Sequence, residues 1–151
     1  MAYRRILVPV DGSSTSNAGL REAIALCKGQ EASLQLVHVI DYHYLVMTGL
    51  EAGAYIEDLM ASLSASGKRI LKRGQAQAAK AGVKSSGVLL ESPAGPAADA
   101  IVRQAKKWKA DLIVLGTHGR RGVRRMVMGS DAEQVVRNSP VPVMLVRSPG
   151  R

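Results

Sequence analysis

A glycine-rich stretch from Gly116 to Ser130 holds the residues of this chain whose types and spacing best suit chemistry. Two residues separate Gly116 from Gly119, and nine separate Gly119 from Gly129, which Ser130 follows. Glycines let the main chain approach an oxyanion closely, and the N–H groups of a helix N-terminus attract negative charge. The pattern therefore predicts a phosphate-binding loop.

The segments on either side of this loop read as a strand and a helix. The apolar run Asp111–Leu115 predicts a buried parallel strand. The run Ser130-Asp-Ala-Glu133 predicts a capping box, with Ser130 as N-cap and Glu133 reaching back. The loop has no carboxylate and contains Arg120, Arg121, Arg124 and Arg125. Some of these arginines can neutralise phosphates, and the alternative, a solvated face, stays open for each.

Strand and helix patterns alternate along the 151 residues. The predicted strands are Arg5–Val10, Ser33–Ile40, Val83–Glu91, Leu112–Leu115 and Val141–Val146. The predicted helices are Ser14–Lys28, Tyr55–Ala81, Pro96–Lys109 and Ser130–Arg137. The weakly periodic Asp41–Ala54 is interpreted as a loop or lid. We expect a single domain over residues 1–151, an α/β fold with an open five-stranded parallel sheet and helices on both faces.

In such sheets, ligands bind beyond the carboxyl ends of the strands, where the strand order reverses. The polar turn Asp11-Gly12-Ser13 leaves the first strand at the same edge as the glycine-rich loop. Asp11 alone reads as a turn residue beside Gly12, but the shared edge favours a ligand role. If the first and fourth strands are neighbours, the polar turn and the glycine-rich loop face one crevice.

Two common nucleotide motifs are missing. The sequence contains no Gly-x-x-x-x-Gly-Lys-[Ser/Thr] and no Gly-x-Gly-x-x-Gly after the first strand. Walker-type kinases and GTPases and the usual dinucleotide-binding dehydrogenases are therefore excluded.

Instead, the chain resembles the universal stress protein family. Nucleotide-binding members carry Gly-x2-Gly-x9-Gly-[Ser/Thr], which Gly116, Gly119, Gly129 and Ser130 match at every spacing. The opening Ile6-Leu-Val-Pro-Val-Asp-Gly-Ser, the run Leu36-Val-His-Val-Ile-Asp and the ending Ser139-Pro-Val-Pro-Val-Met-Leu-Val are also similar. The resemblance covers essentially the whole chain. It implies a Rossmann-like sheet, similar to adenine nucleotide alpha hydrolases, with strand order 3-2-1-4-5.

The resemblance also implies a ligand and its contacts, namely ATP or another adenine nucleotide with magnesium. Adenine would lie near Pro9, Val10 and the main chain of Val39, and Asp11 would contact ribose or help hold magnesium. The implied cofactor-binding residues are Pro9, Val10, Asp11, Val39, Leu115, Gly116, Gly119, Arg120, Gly129, Ser130 and Asp131. The family further suggests a homodimer paired through the last strand, Val141–Val146, whose exposed edge would otherwise be open.

The formal charge of +9 raises the question of nucleic acid. Lys68, Arg69, Lys72 and Arg73 recur at helical spacing and predict a solvated face. One Trp, four Tyr and no Phe provide few stacking platforms. We therefore do not expect a nucleic-acid partner, although a basic binder of nucleic acid or an anionic surface remains a third hypothesis, and it would use this face.

No apolar segment reaches membrane-spanning length, so we expect no membrane partner and a cytoplasmic location. The single cysteine, Cys27, is interpreted as buried packing in a reducing compartment. Trp108 is interpreted as a core anchor and His38 as a buried, hydrogen-bonded histidine. For His118, inside the loop, contact with a phosphate and a role without ligand contact both stay open.

Two classes of function remain. The first is an ATP-binding stress or signalling module in which occupancy regulates conformation or partner binding. The second is a slow magnesium-dependent ATPase or phosphotransferase. Fast turnover needs a positioned nucleophile as well as charge stabilisation, and the sequence provides one candidate carboxylate, Asp11, and no second. We favour binding, with at most slow hydrolysis and no assigned catalytic residue.

Overall fold

The computed structural model describes residues 2–42, 53–92, 95–117 and 129–148. The strands are β1 (Arg5–Pro9), β2 (Ser33–Asp41), β3 (Ser85–Ser92), β4 (Leu112–Gly116) and β5 (Val143–Val146). The helices are α1 (Ser14–Gln30), α2 (Gly53–Lys80), α3 (Ala97–Trp108) and α4 (Ser130–Asn138). Strands and helices alternate as predicted.

The five strands form one parallel sheet in the order β3-β2-β1-β4-β5. The predicted α/β fold and the strand order 3-2-1-4-5 are therefore confirmed. Helices α1 and α2 pack on one face with a core that includes Leu20, Leu36 and Leu71. Helices α3 and α4 pack on the other face around Leu7 and Ile113. Because both faces are covered, the strand sequences read as continuous apolar runs.

Helices α1 and α2 lie on one face and α3 and α4 on the other, so the chain changes face between β3 and α3. The strand order reverses between β1 and β4. These two strands are neighbours, with Ile6 opposite Leu112 and Leu7 opposite Ile113. A crevice at the carboxyl ends of β1 and β4 is the usual ligand position in such a sheet. The sequence analysis required the first and fourth strands to be neighbours, and the structure shows that they are.

Some predicted boundaries were wrong by a few residues. Helix α2 begins at Gly53 and β2 extends to Asp41, so both ends of the predicted loop or lid belong to regular elements. Residues 43–52 of that segment lie outside the described residues. Strand β5 begins at Val143 rather than Val141. Proline has no N–H group to donate to a ladder, and Pro142 contributes only its carbonyl, which accepts from the N–H of Ile113 at 3.1 Å.

The structure also bears on three single-residue predictions. Cys27 is 2% exposed, and its burial raises the thiol pKa to about 11, which suits packing. His38 is buried and its Nδ1 lies 2.7 Å from the carbonyl oxygen of Val10, as expected for a satisfied core histidine. Trp108 is only half-buried; it packs on the α3 core while the Arg5 guanidinium lies 5.7 Å from its ring centroid.

Helix α1 rests directly on the carboxyl end of β4. A Cβ atom on Gly116 would lie 2.6 Å from both the carbonyl carbon and the oxygen of Thr15. A Cβ atom on Gly19 would lie 3.2 Å from the N atom of Gly116. Both glycines are needed because main chain meets main chain there, and neither neighbour is a side chain that could rotate away.

This close approach generates a stability prediction. Gly116→Ala should lower the free energy of unfolding by about 2–3 kcal/mol, because the new methyl group overpacks against the α1 main chain. The measurement is urea unfolding followed by circular dichroism. Gly29→Ala is the matched control, since nothing lies within 4 Å of its Cβ position; it should be neutral or stabilise α1 by up to about 1 kcal/mol. Equal effects of the two substitutions would contradict the close approach.

Candidate functional site

The carboxyl end of β1 turns sharply into α1 through Asp11, Gly12 and Ser13. Gly12 has φ 82°, which is in the left-handed region that favours glycine. The Ser13 N–H donates to Asp11 Oδ1 at 2.9 Å, and Ser13 Oγ caps α1 by accepting from the Ser16 N–H at 3.2 Å. The Asp11 N–H donates to Ser16 Oγ at 3.0 Å. Asp11 therefore helps to build the turn, and this positions its carboxylate at the crevice edge.

Val10, immediately before this turn, is held by its main chain. Its N–H donates to the Val37 carbonyl at 2.8 Å, and its carbonyl oxygen is 2.7 Å from His38 Nδ1. Because a carbonyl oxygen can only accept, Nδ1 carries the proton. The Val10 side chain is 5% exposed in the α1 and α2 core. Both main-chain polar groups of Val10 are thus bonded within the fold at this edge.

Three apolar residues line the α3 and α4 side of the same edge. Side chains alternate between faces along a strand, which puts Pro9, Val39 and Leu115 on the face of Leu7 and Ile113. Pro9 and Val39 are partly exposed, whereas Leu115 is buried. Pro9 and Val39, which the resemblance assigns to the adenine region together with Val10, are therefore partly accessible at one edge.

The predicted phosphate loop is closed at its base. The Gly129 N–H donates to the Thr117 carbonyl at 2.8 Å, and the Thr117 N–H donates to the Val146 carbonyl at 3.1 Å. Thr117 and Gly129, which flank residues 118–128, therefore meet beside the end of β5. Gly119, Arg120 and the other loop arginines, together with His118, lie outside the described residues.

The start of α4 differs from the predicted capping box. Gly129, with φ −61° and ψ 153°, is the N-cap, and Ser130 is the first helical residue. The Glu133 N–H donates to the Gly129 carbonyl at 3.0 Å, and the Glu133 carboxylate pairs with Arg137 at 2.8 Å instead of reaching back. A glycine N-cap lacks a side-chain acceptor, so the N-terminus of α4 has no side-chain cap.

This difference alters the chemistry available at the helix end. The first N–H groups of a helix lack partners within the helix, and the helix dipole favours an anion beside them. Gly129 is partly exposed and Ser130 is exposed, so both are open to a ligand. An oxyanion at this position could accept from main-chain N–H groups and from the Ser130 hydroxyl. Asp131 in the same turn is acidic, so an anion there could accept only from its main-chain N–H.

The described residues contain no group of three or more His, Cys, Asp or Glu side chains that could hold a metal ion. Tyr42, just past β2, donates to Glu91 Oε1 at 3.3 Å; partial burial and this neighbouring carboxylate raise the phenol pKa. A cation at this edge could take ligands from a bound phosphate and from Asp11, the carboxylate of the turn after β1. No helix within the described ranges is long and apolar enough to cross a membrane.

Of the predicted site residues, the structure gathers Pro9, Asp11, Val39, Gly116 and Ser130, with their neighbours, at the carboxyl edge. It adds two that sequence reasoning missed. Thr117 holds the base of the loop, and Ser16 holds Asp11. The N-cap role of Ser13 was readable from its position before a helix. The bond from Thr117 to Val146 spans elements far apart in sequence, so no local pattern indicates it.

Comparison with known proteins shows the family and the fold. A family model described as the universal stress protein family matches residues 2–147. A universal stress protein of Methanocaldococcus jannaschii is 37% identical over 147 residues, covering 97% of this chain and 84% of that protein.

Solved structures show the same fold. A universal stress protein of Lactobacillus plantarum has a TM-score of 0.80 at 25% identity, covering 97% of this chain and 99% of that one. A universal stress protein of Archaeoglobus fulgidus, solved in complex with dAMP, has a TM-score of 0.68 at 25% identity over 97% and 99% of the two chains. With the parallel sheet in the order β3-β2-β1-β4-β5 and the family match over residues 2–147, the chain belongs to the universal stress protein family.

Proposed function

We propose that this protein binds an adenine nucleotide, ATP with magnesium, at the carboxyl edge of β1 and β4, and that occupancy regulates its conformation or partner binding. The observation that carries the proposal is the start of α4, where a glycine N-cap leaves the helix without a side-chain cap at the point where the glycine motif returns. The A. fulgidus relative solved with dAMP supports adenine as the base.

Each part of the nucleotide has a matching feature in this proposal. The phosphates lie against the N-terminus of α4 and the Ser130 hydroxyl, and the loop arginines add positive charge. The base lies against Pro9 and Val39, which are partly exposed apolar residues of the edge. Gly116 faces the α1 main chain, so its glycine identity follows from packing whether or not it also lies near ribose.

Magnesium fits this site as a companion of the phosphates. Magnesium usually keeps several waters and binds through one or two carboxylates plus substrate phosphates. Asp11 is the carboxylate that would hold it, and its Oδ1 is already oriented by the Ser13 N–H. When bound, the ion would neutralise phosphate charge. The same donor set gives no positioned base for an attacking water, which favours holding ATP over rapid hydrolysis.

The regulatory part rests on the base of the loop. Thr117 is bonded both to Gly129, at the nucleotide end of α4, and to Val146, the last residue of β5. A phosphate bound at this end of α4 would therefore act, through Thr117, on the end of an edge strand. Strand β5 presents Leu145, which is 39% exposed, on that edge. We propose that β5 pairs with a second copy and that the protein acts in the cytoplasm, where the single thiol of Cys27 stays reduced.

The loop assignment predicts a difference between two glycines. Gly119→Asp should weaken ATP binding at least about 100-fold, or about 2.7 kcal/mol, because it puts a carboxylate where the phosphates approach most closely. Isothermal titration with magnesium and ATP measures this. Gly122→Asp adds the same charge to the same loop outside the motif and should cost clearly less. If both variants bind ATP as the parent does, the loop does not hold phosphate.

The preference for binding predicts slow turnover. With saturating magnesium and ATP, phosphate release should stay below about 10⁻² s⁻¹, since stabilising charge without an oriented nucleophile gives little rate. A coupled phosphate assay over several hours measures it, and Asp11→Asn reports any contribution of the carboxylate. Turnover of many molecules per second would instead make the protein an ATPase.

The pairing of β5 predicts the effect of a charge on its edge. Leu145→Asp should convert a dimer into a monomer, because a charged side chain on an edge strand opposes pairing with a second strand. Light scattering after gel filtration gives the mass. Val136, 42% exposed on α4, provides the control substitution Val136→Asp, which should leave the dimer intact. Loss of the dimer in the control alone, or a parent protein that is monomeric, would exclude pairing through β5.

A further inference from the structure

A long part of this chain carries positive charge and no acid. Residues 59–90 contain no Asp or Glu, and they include Lys68, Arg69, Lys72, Arg73, Lys80 and Lys84. This part covers most of α2 and the first six residues of β3. Surfaces of folded proteins usually intersperse both signs of charge, so an acid-free surface of this length is unusual.

The middle of α2 concentrates this charge. Lys68, Arg69, Lys72 and Arg73 are all exposed. Within the part of the chain that the structure describes, none of the four forms an ion pair. Lys68 and Lys72, and likewise Arg69 and Arg73, are four residues apart, so like charges face each other at neighbouring turns, which destabilises a helix. We call these four residues the basic face of α2.

The helix dipole does not account for the basic face. Cations stabilise the last turn of a helix, and this explains a second set of cations on α3, where Lys106 and Lys107 occupy the last turn and Lys109 is the C-cap. Arg73, by contrast, lies seven residues before the end of α2 at Lys80. The two sets therefore differ in physical origin, although both consist of exposed cations.

The residues that neighbour the basic face on α2 have small side chains. Ala61, Ala65 and Ala76 are exposed beside the cations. The large apolar side chains that are exposed among the described residues, Val136 and Leu145, lie on other elements. On α1, Leu20 lies in contact range of a Cβ placed on Gly74, and the exposed residues that follow it are Arg21 and Glu22, so the seam with α1 adds no net charge.

We propose that the basic face of α2 binds the phosphate backbone of double-stranded nucleic acid without sequence preference. Small neighbouring residues let a rigid, evenly charged backbone approach the helix, and backbone contacts by Lys and Arg need no base readout. A single strand would need aromatic platforms, and the side chains described on α2, from Ile56 onward, include none. A membrane surface would favour exposed apolar anchors beside the cations, and α2 presents none among its described side chains.

This interaction is separate from the proposed nucleotide site. Helix α2 starts after β2, at the carboxyl edge of the sheet, and runs toward the amino edge, where β3 begins at Ser85. The basic face occupies the second half of this helix. Failure of nucleotide binding and failure of duplex binding can therefore be observed independently.

The test uses two variants with equal charge. In one, Lys68→Gln, Arg69→Gln, Lys72→Gln and Arg73→Gln are combined. In the other, the exposed α3 cations are replaced by Arg103→Gln, Lys106→Gln, Lys107→Gln and Lys109→Gln. Glutamine is a good helix former, and circular dichroism verifies folding. Fluorescence anisotropy with a labelled duplex of about 20 base pairs, at several salt concentrations, gives the affinity and its salt dependence.

The α2 variant should bind the duplex at least about tenfold more weakly at low salt, and the slope of log affinity against log salt should become shallower by about 0.9 for each phosphate that the protein no longer neutralises. The α3 variant should stay within about threefold of the parent. Equal weakening in both variants would mean that net charge alone attracts the duplex, and this would overturn the proposal. So would no binding by the parent, or displacement of the duplex by polyglutamate or phosphatidylserine vesicles at equal total charge.

Discussion

Two consecutive residues at the end of β4 connect four elements of this fold, and the candidate site depends on that junction. Gly116 lies against the α1 main chain with no room for a side chain. Thr117 then bonds through its N–H to Val146 of β5 and through its carbonyl to Gly129 at the start of α4. Because these interactions involve main chain, side-chain rearrangement cannot absorb a displacement there. The position of the loop base is thus fixed by the sheet itself.

From this junction follow both the ligand chemistry and the way binding would be transmitted. The uncapped start of α4 provides directed N–H groups for an anion, while Pro9 and Val39 provide an apolar surface on the neighbouring strands. Asp11, in the turn after β1, is held by Ser13 and Ser16. A ligand bound at the start of α4 would act on Thr117 and, through it, on the end of the edge strand β5. The basic face of α2 lies elsewhere, so the protein would have two anion-binding surfaces of different kinds.

Much of this could be predicted from sequence because the signals are local. Apolar strand runs and helical periodicity indicated the alternation, and the motif from Gly116 to Ser130 indicated the edge where the site lies. The capping box failed because Gly129 and Ser130 both suit an N-cap, and only the backbone geometry decides between them. The roles of Thr117 and His38 depend on partners distant in sequence. The basic face looked like an ordinary solvated surface until its distance from the helix end and its lack of ion pairs among the described residues were visible.

The proposal that matters most is that the carboxyl edge of β1 and β4 holds an adenine nucleotide. Its most direct test is mass analysis of small molecules released by denaturing the purified protein, followed by titration of the nucleotide-free protein with magnesium and ATP. We expect an adenine nucleotide among the released molecules, or saturable binding with one ATP per chain. Absence of any released nucleotide, together with no binding at millimolar ATP, would contradict it.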